Sequence, residues 1–281
     1  IILVDYVEFN LKIAKFAKSL GIRVIFYIAP QLWAWREQRA HDLVKNIDHL
    51  AVIFPFEEIF FKKYTNNVSY VGHPLYKKTH LLDSVKKYED RDTDLGIFPG
   101  SRESEIKNNI HSMLDCIQKN KNEKIKIFYA NETSLGLLKK LLPNEFHSKL
   151  ESGSNIDKVS SCKKALCASG TVTLELAILE IPMIVMYKLS FLTFFIMRSL
   201  VKIKYIGLVN IVLGEEIGQE PIVQEYIQPS YSDQIDIMVE LNKIDNDQIY
   251  RENMLDKFRE IKDKLSIESD KKLWMIVEDL I

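Results

Sequence analysis

Short apolar runs alternate with amphipathic stretches along the first part of the chain. The runs 1–4, 24–28 and 50–54 are apolar at successive positions, as strands covered on both faces are. Over residues 9–20 the apolar positions recur at helical spacing, and Gly21 stands where a helix C-cap is expected. Strand–helix–strand repetition with short connections predicts a parallel sheet with helices packed on it.

A change of composition divides the chain. Between Tyr76 and Thr93 the residues are rich in Lys, Asp, His and Tyr and show no clear strand, so we interpret this stretch as an interdomain linker. The strand–helix pattern resumes at residue 95, and from about residue 232 the sequence is charged and helical. These changes predict domains over 1–80 and 95–231, followed by C-terminal helices over 232–281.

The composition argues against several classes of protein. The 38 Lys and Arg nearly cancel the 39 Asp and Glu, and this balance argues against a nucleic-acid binder. The three cysteines have no C-x-x-C spacing and the six histidines form no metal-binding pattern with them, so we expect reduced core thiols, a cytoplasmic location and no bound metal. No run of 18 apolar residues is present, so we expect no transmembrane helix.

One strand-to-helix turn is a candidate phosphate site. Gly100, Ser101 and Arg102 directly follow a predicted strand and precede a predicted helix. A glycine lets the backbone approach a ligand, the helix N-terminus favours an anion, and an arginine can bind phosphate with two hydrogen bonds. An ordinary strand-to-helix turn with a surface arginine fits the pattern equally well.

A second turn repeats the design. Ser169, Gly170 and Thr171 follow an apolar strand, and Glu175 lies one turn inside the next helix, where it could accept hydrogen bonds from both ribose hydroxyls. A plainly capped helix is the alternative. Two such turns in one α/β domain favour a nucleotide site, and because neither is a G-x-x-x-x-G-K-[ST] loop, ATP hydrolysis is disfavoured.

Taken together, an ordered series of motifs resembles the lipid-A-disaccharide synthase family. The series consists of VDYVEFN (4–10), YIAPQLWAWR (27–36), FPFE (54–57), YVGHPL (70–75), PGSR followed by EI (99–106), SGT followed by LE (169–175), and the segment 188–210. Each motif is weak alone, whereas the W-A-W-R block and the conserved order are specific.

The resemblance implies a GT-B fold, with two Rossmann-like domains whose parallel sheets face a cleft. Residues 1–80 would form the acceptor side, residues 95–231 would bind the UDP-sugar, and the C-terminal helices would pack back on the first domain. The implied activity is an inverting, metal-independent transfer without a cofactor. It would join UDP-2,3-diacylglucosamine to 2,3-diacylglucosamine 1-phosphate, giving lipid A disaccharide 1-phosphate and UDP for the lipopolysaccharide of a Gram-negative bacterium.

The resemblance also implies roles for individual residues. Asp5 would be the catalytic base and Arg102 would stabilise the departing UDP; the alternative for Asp5 is a helix N-cap. The implied nucleotide contacts are Gly100, Ser101, Arg102, Ser169, Gly170, Thr171, Glu175 and Asn210. The implied substrate contacts are Asn10, Trp35, Arg36, Glu225 and Gln228. Trp33 and Trp35 could either stack on a sugar or wedge their loop into the core, and His73 fits a structural turn better than a reactive group.

An apolar stretch with basic flanks suggests a membrane contact. Phe191, Phe194, Phe195 and Met197 are followed by Arg198, Lys202 and Lys204, as in a helix lying on an anionic membrane. A buried core helix is the alternative. We therefore expect a cytoplasmic enzyme, peripheral on the inner face of the inner membrane, which could form a homodimer.

The chain also departs from the family. It has no counterpart of the Gly-rich G-E-x-S-G-D loop, and about 80 preceding residues are expected from a typical domain size, so we expect an incomplete N-terminal domain and a truncated sequence. Two alternatives therefore stay open. The chain could be a catalytically incomplete fragment that only binds UDP-sugar, or another GT-B enzyme acting on UDP-GlcNAc, such as an epimerase.

Overall fold

The computed structural model describes residues 1–34, 36–76, 79–118, 124–188, 205–213, 220–266 and 272–280. These residues form two compact units. The first unit draws on residues 1–76 and 263–280, and the second on residues 79–188 and 205–262.

The first unit is built on a parallel sheet of four strands in sequential order. The strands are β1 (Ile2–Val4), β2 (Ile25–Tyr27), β3 (His49–Val52) and β4 (Val68–Tyr70). The helices are α1 (Val7–Ser19), α2 (Ala40–Lys45) and α3 (Pro55–Phe61), with a 3-10 helix over Glu37–Arg39 before α2. Parallel strands need crossover connections, which are usually helical, so a loop follows the carboxyl end of each strand.

Both faces of this sheet are covered by apolar side chains. On one face Phe26 and Leu50 pack with Leu11 and Ala14 of α1. On the other face Ile25, Ala51 and Val71 pack with Ile276 of the C-terminal helix, Leu273–Leu280. Strands β2 and β3 are apolar at most positions because side chains cover both of their faces, whereas Ile2 and Val4 of the edge strand β1 are exposed.

The second unit contains a six-stranded parallel sheet in the order β10-β9-β8-β5-β6-β7. The strands are β5 (Thr93–Phe98), β6 (Ile125–Tyr129), β7 (Leu150–Ser152), β8 (Cys162–Cys167), β9 (Met183–Tyr187) and β10 (Glu225–Ile227). The chain starts at the centre with β5, runs outward to β7, and then returns to β8 on the other side of β5. The order therefore reverses between β5 and β8, and ligands of such sheets bind at the carboxyl ends of the strands at this point.

Helices cover the second sheet. They are α4 (Thr79–Asp83), α5 (Glu103–Gln118), α6 (Glu132–Leu141), α7 (Ile156–Ser160), α8 (Thr171–Ile178), α9 (Leu208–Leu213), α10 (Tyr231–Asn246) and α11 (Gln248–Ser266), and the C-terminal helix of the first unit is α12. The stretch interpreted as a linker contains α4 and a 3-10 helix over Tyr88–Asp90, and β5 begins at Thr93 rather than at residue 95. None of the helices in the described ranges is long and apolar enough to cross a bilayer.

Candidate functional site

The turn after β5 has a backbone that only glycine fits well. Gly100 has a φ of +120°, and a Cβ at this position would lie 2.6 Å from the Cβ of Glu105. The turn leads into α5, so the first amides of that helix lie at the carboxyl edge of the sheet. The position of these amides is the one predicted for a phosphate.

A carboxylate already uses those amides. Glu105 accepts hydrogen bonds from the backbone N–H of Ser101 at 3.0 Å and of Arg102 at 3.2 Å, and its second oxygen accepts from the Arg102 guanidinium at 3.0 Å. The Arg102 side chain is 81% exposed. Glu105 was not among the predicted site residues, although the Arg-x-x-Glu spacing is that of a helix capping box.

The turn after β8 lies beside β5, on the other side of the reversal of strand order. Gly170 has a φ of +150°, a conformation that glycine adopts readily, and Thr171 begins α8 with an exposed side chain. The Ser169 hydroxyl donates to the carbonyl of Ile206 at 2.8 Å, so this predicted ligand also ties the turn to the segment before α9. Glu175 lies half-buried one turn inside α8.

Buried Asn210 and half-buried Glu225 form a hydrogen-bonded network. Asn210 is 0% exposed, and its amide nitrogen donates to Glu225 at 2.7 Å and to the Val223 carbonyl at 2.9 Å. Its carbonyl oxygen accepts from the backbone N–H of Ile222 and Val223. Direct contact with the nucleotide stays a prediction, whereas the observed bonds make Asn210 a brace between α9 and the strand β10.

Glu225 completes this network. It accepts from the backbone N–H of Ile206 at 2.8 Å and of Gly207 at 2.9 Å, so the segment before α9 is held by one carboxylate. Burial raises the pKa of Glu225, while these amides and Asn210 oppose the rise. Gln228 has a φ of 54° and its backbone N–H donates to the Tyr187 carbonyl at 2.9 Å, which places it where β9 and β10 end.

A further brace was missed by sequence reasoning. Asn109 is 0% exposed; its side chain donates to the Pro99 carbonyl at 3.2 Å and accepts from the Lys188 backbone N–H at 2.8 Å. It thereby joins the ends of β5 and β9 across β8. No short motif marks this residue, because an asparagine inside an amphipathic helix resembles any surface asparagine.

In the first unit, Asp5 follows β1 directly and its side chain is exposed. Its backbone N–H donates to the Tyr27 carbonyl at 3.1 Å and its φ is 50°. The amide nitrogen of buried Asn10 donates to the carbonyls of Val4 at 3.0 Å and Asp5 at 2.7 Å. Asn10 thus holds the turn that presents the Asp5 carboxylate, and its predicted substrate contact stays a prediction. The N-cap of α1 is Tyr6, which makes no side-chain cap hydrogen bond.

Two arginines share one carboxylate in the same unit. Arg39 binds both oxygens of Glu8, and an Arg36 nitrogen lies 3.7 Å from the same carboxylate. The hydrogen bond and charge of Arg39 lower the pKa of Glu8. Two cations and one anion leave a local excess of positive charge, which suits an anionic ligand.

Trp33 wedges its loop against the start of α3. Its indole nitrogen donates to Glu57 at 3.2 Å, and its ring packs edge-on to Phe56 with centroids 5.0 Å apart. Glu57 is 2% exposed and also accepts from the backbone N–H of Ile53 and Phe54. Burial raises the pKa of Glu57 to about 7, although all three donors oppose the rise. Of the two interpretations of Trp33, the structure supports the structural wedge.

His73 is also structural. It is buried, its ring contacts that of Phe54, and its Nδ1 accepts from the backbone N–H of Leu75 at 3.2 Å. Burial lowers the pKa of His73 to about 4, so the ring is neutral at physiological pH.

Some predicted contacts lie outside the described residues: Trp35, Phe191, Phe194, Phe195 and Met197. Among the residues that are described, no group of three or more His, Cys, Asp or Glu side chains could hold a metal ion. The three cysteines are buried thiols.

The solved structures most relevant to this arrangement are GT-B proteins. The S. aureus MnaA–UDP co-structure has a TM-score of 0.54 and 11% identity, covering 91% of this chain and 69% of that chain. The glycotransferase of kitacinnamycin has a TM-score of 0.58 and 13% identity, covering 99% and 74%. At these identities the likeness shows the fold alone, and the predicted GT-B fold is confirmed.

Comparison of the sequence with curated relatives shows the family, whereas the solved structures show only the fold. A relative from Nitrosococcus oceani, a lipid-A-disaccharide synthase, is 36% identical over 276 residues, which are 94% of this chain and 70% of the relative. The same enzyme of Trichlorobacter lovleyi is 36% identical over 82% of this chain and 62% of its own length. Lipid-A-disaccharide synthase 1 of Legionella pneumophila is 33% identical over 95% of this chain and 71% of its own length.

The family model for lipid-A-disaccharide synthetase matches residues 1–277. This match covers both units and all the turns described above, so the resemblance carried by the sequence motifs is confirmed. The chain therefore belongs to the lipid-A-disaccharide synthase family, the glycosyltransferases of lipid A biosynthesis.

Proposed function

We propose that the protein transfers 2,3-diacylglucosamine from UDP to 2,3-diacylglucosamine 1-phosphate, forming lipid A disaccharide 1-phosphate and UDP. The observation that carries this proposal is the pairing of chemistries on the two units. The second unit has an exposed arginine beside helix amides at its reversal of strand order, and the first has an exposed carboxylate directly after a strand. Family membership supplies the substrate class.

The donor binds to the second unit. The Ser101 and Arg102 amides and the Arg102 guanidinium bind the diphosphate, and the Glu105 carboxylate leaves them when the diphosphate enters. Ser169, Gly170 and Thr171 supply further backbone and hydroxyl groups, and Glu175 accepts hydrogen bonds from the ribose. Positive charge at this place stabilises the UDP that departs.

Asp5 acts as the base. The acceptor hydroxyl attacks the anomeric carbon of the donor sugar, its proton passes to the Asp5 carboxylate, and the bond from that carbon to the UDP oxygen breaks. The electron pair of that bond leaves with UDP, and the anomeric configuration inverts. A positioned general base typically contributes a factor of about 10²–10⁴ to the rate.

The acceptor phosphate binds near Arg36 and Arg39 of the first unit, where positive charge exceeds negative charge. Trp35, Asn10 and Gln228 are proposed as further substrate contacts. The two lipid substrates reside in membranes, so we also propose that the enzyme works on the cytoplasmic face of the inner membrane. Phe191, Phe194, Phe195 and Met197 would supply the contact with lipid.

The decisive experiment mixes the purified protein with both lipid substrates and follows disaccharide formation. We expect Asp5→Ala to lower kcat by about 10²–10⁴ while UDP binding persists. Asp42→Ala is the matched control, because Asp42 is an exposed aspartate of the same unit that pairs with Lys15. UDP binding without turnover by the wild-type chain would instead support the incomplete fragment.

A further inference from the structure

The loop after β2 carries Arg36 and is held by two side-chain hydrogen bonds, one on each side of that residue. Before it, the Trp33 indole donates to Glu57 at 3.2 Å. After it, Glu37 accepts from the Tyr64 hydroxyl at 2.8 Å. Arg36 itself has a φ of 60°, a conformation that non-glycine residues adopt only when their surroundings hold them there.

The two tethers differ in burial. Tyr64 and Glu37 are only half-buried, so water competes for their hydrogen bond. Glu57 is 2% exposed, and the Trp33 ring that binds it packs edge-on against Phe56, whose ring stacks on Phe54 with centroids 5.5 Å apart. A hydrogen bond to a buried carboxylate is stronger than one that water can replace.

Glu57 divides its two oxygens between two tasks. One oxygen accepts from the backbone N–H of Ile53 and Phe54 and so caps the start of α3, while the other accepts only from Trp33 among the bonds observed. The cap uses only one of the two oxygens. The second oxygen is left for the indole, so the same carboxylate joins the start of α3 to the loop after β2.

We propose that Glu57 is a positioning residue for the acceptor: through the Trp33 indole it fixes the loop that presents Arg36 to the acceptor phosphate. This inference rests on the proposed function, because it assigns the acceptor phosphate to Arg36. Glu57 does not touch the substrate; it acts only by holding the loop.

Glu57→Gln separates the two tasks. The amide oxygen keeps the Ile53 and Phe54 donors, since two backbone bonds outweigh one, and the amide nitrogen then faces the indole N–H, where donor meets donor. Trp33→Phe breaks the same bond from the other side and leaves the carboxylate in place. Both variants keep the α3 cap, and Tyr64→Phe serves as the comparison for the exposed tether.

The experiment measures KM for the acceptor, KM for the UDP-sugar, kcat and thermal melting in chains of residues 1–281. We expect Glu57→Gln and Trp33→Phe each to raise the acceptor KM about tenfold, with the donor KM changed by less than about twofold. The double variant should be no worse than either single variant, because both remove one bond. Tyr64→Phe should change the acceptor KM by less than about threefold.

Three results would overturn the inference. They are folded variants with the wild-type acceptor KM, an equal rise of donor and acceptor KM, or additive effects in the double variant. If the wild-type chain makes no disaccharide, the proposed function fails, and binding of the lipid acceptor in detergent micelles then decides this inference separately. Weaker acceptor binding by both variants supports it, and equal or absent binding by wild type and variants contradicts it.

Discussion

The carboxyl edges of the two sheets prepare their ligand groups in different ways. In the second unit, side chains inside the fold hold the backbone: Asn109 binds the loops that end β5 and β9. Asn210 and Glu225 bind backbone groups before β10 and before α9. In the first unit, the charged side chains themselves are exposed, as Asp5 and Arg36 are. The difference suits the two ligands, since a diphosphate is bound by a fixed array of amides, whereas proton transfer needs a reactive side chain within reach.

The comparison is tested most directly at Arg102, a charged side chain of the second unit that is exposed like Asp5 and Arg36. We expect Arg102→Ala to lower kcat by roughly 10²–10³, because it removes the positive charge that we propose stabilises the leaving UDP. The affinity for UDP should fall as well. Steady-state kinetics and calorimetric titration with UDP measure these changes.

Arg259→Ala is the charge-matched control for this prediction. Arg259 lies exposed on α11, where it pairs with Asp256 of the same helix and with Glu180, which follows α8. Lys262 also pairs with Glu180, so Glu180 keeps a partner after the substitution. It should retain wild-type kinetics. Wild-type UDP affinity in Arg102→Ala would remove the arginine from the donor site.

Replacing a buried brace should affect stability as much as binding. Asn210→Ala removes four hydrogen bonds and leaves Glu225 and two backbone amides short of partners inside the unit. We expect the free energy of unfolding to fall by about 3 kcal/mol, with a parallel loss of UDP affinity. Urea denaturation and UDP titration measure the two effects.

Asn246→Ala provides the contrast, because Asn246 makes its side-chain hydrogen bond on the exposed end of α10. It should change stability by less than about 1 kcal/mol. A loss of UDP affinity in Asn210→Ala without any loss of stability would contradict the bracing role and favour direct contact with the nucleotide.

The strands and the site residues differ in how far the sequence could predict them. The apolar runs 24–28 and 50–54 predicted β2 and β3, because a strand covered on both faces is apolar at successive positions. The three-residue strands β7 and β10 were missed, since so short an edge strand carries no hydrophobic signal. Gly100 and Gly170 were found because their turn chemistry is local. Asn109 and Glu57 were not predicted as site residues, because Lys188 and Trp33, which they bind, are brought to them only by the fold. Glu105 was also missed, although its partners are local and its spacing is that of a capping box.

The pH dependence of stability tests the buried carboxylate of the first unit. Burial raises the pKa of Glu57 from 4.5 to about 7, so the unfolded chain loses this proton at lower pH than the folded chain. The contribution of Glu57 to the free energy of unfolding therefore falls as the pH rises from 4.5 to about 7. His73 acts in the opposite direction, because burial lowers its pKa from 6.5 to about 4.

A difference measurement isolates Glu57. Glu57→Gln cannot ionise at this position, and His73 is common to both proteins, so its contribution cancels. We expect the stability of the wild type relative to Glu57→Gln to fall by about 2 kcal/mol between about pH 5 and about pH 8. Urea denaturation at several pH values measures this. A difference that is constant with pH would show that the Glu57 carboxyl does not titrate in this range.

The smallest expected effect on stability concerns the exposed arginine pair. Arg39 binds Glu8 on the surface, and such pairs contribute little to folding, so Arg39→Ala should leave the melting temperature almost unchanged. The Glu8 carboxylate, however, loses its main partner and is left beside Arg36, 3.7 Å away. It should then pair with Arg36 and compete with the acceptor phosphate. The acceptor KM should therefore rise in Arg39→Ala by about threefold to tenfold.

Removing the carboxylate as well should reverse the effect. In Glu8→Gln combined with Arg39→Ala, Arg36 has no competing anion from Glu8, and the acceptor KM should return toward the wild-type value. The donor KM should stay constant in all three proteins, because the proposed donor site lies in the second unit. If the combined variant is as weak as Arg39→Ala alone, Arg39 contacts the acceptor directly, and the first unit holds its phosphate with two arginines rather than with Arg36 alone.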